Sequence, residues 1–157
     1  MGDDRDEVRW FWMAGKDSSA RVVVGIDGSP SSQAALRWAV RQAALMGATV
    51  DVVGAWEGVP LFAGPTVVDP TLEAETARRR FDQEIHEVLG DDRPVEVREH
   101  LVQGNPADVL LDAATGAELL VVGSRGHGTF ARALLGSVST RCAMHASCPV
   151  VIVRRPG

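Results

Sequence analysis

RVVVGIDGSPSSQAALRWAVRQAALMG, residues 21–47, changes period in its middle, and that change decides the fold. RVVVGI is a short β-branched run, the pattern of a strand buried on both faces. After Asp27-Gly28, Ser29 can cap a helix, and Pro30 suits the first helical position because its missing N–H would be unpaired there anyway. Leu36, Ala39, Val40 and Ala43 then recur at steps of three and four, opposite Gln33, Arg37 and Arg41. Gly47 can close the helix in a left-handed conformation. The stretch therefore reads as strand, tight turn, amphipathic helix.

The same alternation continues outward. TVDVVGAW reads as a second strand, followed by a loop rich in Gly and Pro over 57–70. A helix is expected from about Thr71 to Leu89, with an inward stripe of Ala74, Ala77, Phe81, Ile85 and Val88. Its Arg78-Arg79-Arg80 run is offset by Glu73, Glu75, Asp82, Glu84 and Glu87, so it reads as a solvated face, with Glu75 able to pair with Arg79. VEVREHLV alternates as a third strand. Asn105-Pro106 caps a short helix facing inward through Ala107, Leu110, Leu111 and Ala114. ELLVVG and PVVIVR read as strands four and five, with a last helix from Ser137 to near Ala146 between them. Strands alternating with helices form parallel βαβ units, hence a three-layer α/β domain with helices on both faces.

In open parallel sheets, ligands bind beyond the carboxyl ends of the strands, where strand order reverses. Two such ends carry glycine with polar groups: Gly25-Ile26-Asp27-Gly28-Ser29 after strand one, and Gly123-Ser124-Arg125-Gly126-His127-Gly128 after strand four. Glycine permits positive φ and lets backbone N–H groups approach an anion with no Cβ in the way. Further on, Ser137 is expected to cap a helix whose free N–H groups make a second anion site, with the hydroxyls of Ser137 and Ser139 adding donors. Two sharper motifs do not match. The order here is G-x-x-G-x-G after strand four, where a dinucleotide fingerprint needs G-x-G-x-x-G near strand one. A Walker loop needs a lysine for the β/γ-phosphates, and Lys16 is the one lysine in the chain.

Gly123-x2-Gly126-x9-Gly136-Ser137 resembles the ATP-binding motif of the universal stress protein family, G-x2-G-x9-G-[S/T]. VVVGIDGSP and GSVSTRCAMHASCPVVIVRRP are similar to that family as well, so the resemblance covers about residues 21–155. It implies an open five-stranded parallel sheet of order 3-2-1-4-5, Rossmann-like, with strands one and four side by side. By position, Asp27 would contact adenosine, Gly25 and Ile26 would shape the pocket, and Ala55 would touch adenine. Gly123 and Gly126 would contact ribose and phosphate. Gly136, Ser137, Val138 and Ser139 would hold the phosphates, and Arg125 or His127 could reach one. The resemblance also implies ATP with Mg²⁺ or Mn²⁺, and a homodimer through Val150–Val153, an apolar edge strand of the kind that invites pairing.

Bulk properties narrow the function further. The 157-residue chain has a formal net charge of −5 and 45% hydrophobic residues, which suggests one domain without the basic footprint of a nucleic-acid binder. No apolar run nears the roughly 18 residues of a membrane span, and the N-terminus lacks a signal-peptide pattern. Two cysteines, Cys142 and Cys148, fit a reducing cytoplasm. With His145 they read C-x2-H-x2-C, but without a fourth ligand they are expected to be packing residues, not a zinc site. Residues 1–20, with the RWFWM run, read as a poorly ordered tail before a domain at 21–157; Met13 is an alternative start. An adenine-nucleotide binding module is expected, against a slow ATPase or phosphotransferase and a nucleotide-independent scaffold. Adenosine contacts serve ATP and cyclic AMP alike.

Overall fold

In the computed structural model, residues 12, 20–59, 69–126 and 135–155 are described. Among the described residues five strands, β1 (Arg21–Ile26), β2 (Thr49–Trp56), β3 (Val97–Gln103), β4 (Leu119–Gly123) and β5 (Val150–Val153), alternate with four helices. These are α1 (Pro30–Met46), α2 (Pro70–Leu89), α3 (Pro106–Ala113) and α4 (Ser137–His145). The sheet is parallel throughout, in the order β3-β2-β1-β4-β5. This is the expected Rossmann-like order, and it makes β1 and β4 neighbours.

Period-two alternation divides the core into two layers. Val22, Val24 and Ile26 of β1 pack with Leu36, Ala39, Val40 and Ala43 of α1 and with Phe81 and Ile85 of α2. Val23 faces the opposite side, with Val53, Leu120, Val122, Leu110 of α3 and Cys142 of α4. The α1 stripe is as read from the sequence. Gly47 takes the left-handed conformation, φ 64°, and ends the helix.

Three local readings shift. Leu111 is only half-buried, and Val109 and Ala113 take the inward positions of α3 beside Leu110. Steps of four from Asn105 put 109 and 113 on one face of the helix, which 111 does not share. Glu84 is not solvated: it is 8% exposed and accepts a hydrogen bond from Ser32 Oγ at 3.2 Å. On the outer face of α2, Arg78 pairs with Asp82 at 2.9 Å, while Arg79 donates to Thr76. The third shift is at α4, whose N-cap is Gly136, with Ser137 as the first helical residue.

Beneath α3 lies a buried polar group. Arg21 pairs with Asp51 at 2.6 Å and donates to the carbonyls of Ala113 and Thr115. His100 Nε2 lies 3.3 Å from the same carboxylate. Burial alone would raise the Asp51 pKa, but the hydrogen bonds and charges of His100 and Arg21 outweigh it and hold the carboxyl below its ordinary value. Trp12 covers this group, 5% exposed, with its ring edge-on to His100 at 4.6 Å. The other residues of 1–19 lie outside the described residues, as do 60–68 of the expected loop and 127–134.

Candidate functional site

The carboxyl ends of β1, β2 and β4 open onto a cavity of about 460 Å³. Gly25, Ile26, Asp27, Ala55, Gly123, Arg125, Gly126, Gly136, Ser137, Val138 and Ser139 all line it, so the structure brings these eleven candidate residues to one place. His127 and Gly128 lie outside the described residues.

The glycines work by size more than by conformation. Gly136 has φ −74°, which any residue can adopt. A Cβ on Gly25 would meet Leu110 Cδ1 at 2.7 Å, so its absence lets α3 come down onto β1. A Cβ on Gly123 points to the opposite face and would meet the Ser31 carbonyl carbon at 2.7 Å. Its absence seats the first turn of α1 against β4. A Cβ on Gly126 would meet Asp27 Oδ2 at 2.7 Å, which brings the two loops into contact. Positive φ is needed in the turn after Asp27, where Gly28 has φ 82°.

Three serines lock the loops together. Asp27 Oδ1 accepts from the Ser29 N–H at 2.9 Å, and Ser29 Oγ caps the Ser32 N–H. The hydroxyls of Ser29 and Ser31 both donate to the Arg125 carbonyl, and the Arg125 N–H donates to Ser31 Oγ. Ser32 Oγ accepts from the Asp27 N–H and links it to Glu84. The backbone of the strand-four loop is thus fixed by side chains of α1, while the Arg125 side chain is left exposed.

On the other side, α4 begins without a side-chain cap. Its first intrahelical bond is Thr140 N–H to the Gly136 carbonyl. The N–H groups of Ser137, Val138 and Ser139 precede it and face no intrahelical acceptor. Neither α1 nor α4 has an acidic residue in its first turn to offset the positive end of its dipole. Ser139 differs from the expectation that its hydroxyl serves a ligand. It is 3% exposed, and its single proton is directed at the carbonyls of Ser124 and Gly136. Together with the Gly136 N–H bond to the Ser124 carbonyl at 2.8 Å, it ties the helix start to the strand-four loop.

Sequence reasoning missed the apolar wall: Val53, Pro106, Leu110, Val122 and Leu135. One signal could have found part of it. Val53 and Ala55 share a face of β2, and Val53 lies in register with Gly25. The cavity therefore has an apolar end between β2 and α3, and an end rich in N–H donors at α4. A planar apolar ring with an anionic tail matches that division.

A model of the universal stress protein family matches residues 19–154. The chain belongs to the universal stress protein family. It is 37% identical over 142 residues to a universal stress protein of Mycolicibacterium smegmatis, covering 84% of this chain and 47% of that protein. It is 34% identical over 136 residues to one of Thermus aquaticus, covering 85% of this chain and 97% of that protein. The chain thus spans about half the length of the mycobacterial relatives and nearly all of the Thermus one. Among solved structures, a universal stress protein in complex with cAMP is 30% identical with a TM-score of 0.62, over 88% of this chain and 98% of that one. The family's glycine motif is the segment that, in this member, joins the β4 loop to the start of α4.

Among the described residues, no group of three or more His, Cys, Asp or Glu side chains could hold a metal, and no helix is long and apolar enough to cross a membrane. Cys142 is buried and Cys148 half-buried. Burial pushes the Cys142 thiol up to about 11, which keeps it protonated and unreactive at neutral pH.

Proposed function

We propose that this chain binds an adenine nucleotide, ATP by preference, and acts in stress response as a nucleotide-dependent binding module. One observation carries the reading: residues from β1, β2, β4 and α4, separated by more than a hundred positions, line a single cavity with an apolar end and a donor-rich end. The similar structure in complex with cAMP supports an adenine ligand in this fold. Adenine would lie against Val53, Ala55 and Leu110, and Asp27 would meet the ribose. The phosphates would lie between the Gly126 loop and the first-turn N–H groups of α4, where partial positive charge favours them.

Asp27 is the one carboxylate lining the cavity among the described residues. A divalent cation would therefore be held mainly by phosphate oxygens and water, a mode that suits Mg²⁺, which keeps several of its waters. The residues fit such an ion as a companion of the ligand, and bound there it would neutralise phosphate charge.

The proposed setting is the cytoplasm, with two free thiols, and the proposed assembly is a homodimer. β5 is a sheet edge, and Val150–Val153 is half-buried and apolar. Sedimentation at micromolar protein concentration should give twice the chain mass.

Purified protein, denatured and run on anion exchange, should release adenine nucleotide, and calorimetry of the emptied protein should show ATP binding. Absence of both would overturn the reading. Release of cyclic AMP alone would keep the adenosine site and reject ATP as its ligand.

A further inference from the structure

A second cavity, of about 390 Å³, adjoins the first. It is lined by the Ser29–Pro30–Ser31 turn at the start of α1, by Ser124, and by three arginines: Arg125, Arg154 and Arg155. The arginines come from two places in the fold. Arg125 follows β4, and Arg154 and Arg155 follow β5, which lies beside β4 in the sheet. Among the described residues none of these three guanidinium groups has a carboxylate partner. Arg21, Arg78, Arg93, Arg98 and Arg141 are each paired with an acid, while Arg37, Arg41, Arg79 and Arg80 lie along helices and line neither cavity. Three unpaired cations around one cavity run against the composition of a chain with net charge −5.

The backbone around this cavity is held in place. The Ser124 N–H bonds to the Val153 carbonyl at 2.9 Å, which fixes the exit of β5 to the β4 loop. The hydroxyls of Ser29 and Ser31 hold the Arg125 carbonyl.

We propose that this second cavity binds a phosphate-class oxyanion through Arg125, Arg154 and Arg155. Planar guanidinium groups suit that chemistry because each can present two parallel N–H donors to a phosphate. The two cavities share Ser29, Arg125 and Gly126. The anion in the second cavity is therefore a separate phosphate group or the terminal phosphate of a nucleotide bound next door.

The test uses the full chain labelled with ¹⁵N; its first arm needs no nucleotide and so stands apart from the reading of the first cavity, while its second rests on that reading. Inorganic phosphate is titrated against chloride at constant ionic strength, following the side-chain N–H signals of Arg154 and Arg155. Saturable shifts specific to phosphate are expected. An Arg154→Gln/Arg155→Gln variant, with thermal melting as the check on its fold, should bind phosphate roughly tenfold or more weakly. Repeating the titration in saturating ATP names the source. Loss of the response assigns the cavity to the nucleotide's own phosphates, and its retention assigns it to a separate group; both keep the arginines as phosphate ligands. Non-saturating shifts equal to those of chloride, or unchanged phosphate affinity in the variant, would overturn the proposal.

Discussion

Gly123 touches Ser31 with no room between them: a β-carbon on the glycine would lie 2.7 Å from the carbonyl carbon of the serine. The neighbour is helix backbone, which cannot rotate aside. Gly123→Ala should therefore push α1 off β4 and cost about 1–3 kcal/mol, the usual range for overpacking. Urea denaturation measures it. Gly136→Ala is the control, because its new methyl would sit 3.5 Å from the Gly126 nitrogen, an ordinary contact. It should cost less than about 1 kcal/mol in stability.

Trp12 should behave as a core residue. It is buried against His100 and belongs to the same cluster as Val53 and Leu120. Trp12→Ala should destabilise the protein by about 3–5 kcal/mol, and a chain beginning at Met13 by a similar amount. Leu45→Ala, at a position 83% exposed, should change stability by less than about 0.5 kcal/mol. Equal effects at the two positions would show that Trp12 adds nothing to the core.

Asp51 sets an acid limit. Its folded-state pKa lies below the ordinary carboxylate value of 3.8, so the folded state binds this proton less readily than the unfolded chain. Its contribution is full above about pH 4 and is lost as pH falls through the lower, folded value. Asp51→Asn should remove that portion of the acid dependence. It should also cost about 3–5 kcal/mol at neutral pH, because it leaves Arg21 buried without a countercharge. At the alkaline end, the Cys142 thiol titrates near 9 unfolded and about 11 folded. Stability should fall between those values, and Cys142→Ala should flatten that slope. Melting temperature against pH reads both limits.

Asp27→Ala should weaken ATP binding about tenfold, as loss of one charge-assisted hydrogen bond would. It removes the proposed ribose contact and the 2.9 Å bond that shapes the turn at Ser29. Asp27→Asn retains an acceptor for the Ser29 N–H and should separate the two effects. Calorimetry with ATP is the measurement, and equal affinity in both variants and the parent would remove Asp27 from the site.

Much of this was legible in residues 21–47 and 121–140. Period two and period 3.6 are local properties of a chain, so the elements could be read from them. A glycine motif with fixed spacing marks a loop and a helix start directly. Sequence alone therefore determined the α/β alternation and the inward stripe of α1, and its resemblance to the family pointed to eleven of the residues that line the cavity. It could not decide what each glycine is for. Gly25 and Gly123 look alike in sequence, yet one admits Leu110 and the other the backbone of α1, because they stand on opposite faces of the sheet. Only strand order and helix packing set those neighbours. The same holds for Glu84 and Arg21, charged residues that appear suited to solvent until Ser32 and Asp51, distant in the chain, are packed against them. Trp12 likewise acquires its role only from packing against His100 and the cluster of Val53 and Leu120. Local periodicity wrote the elements; the burial of polar groups and the use of each missing Cβ depend on long-range contacts, which only the tertiary structure decided.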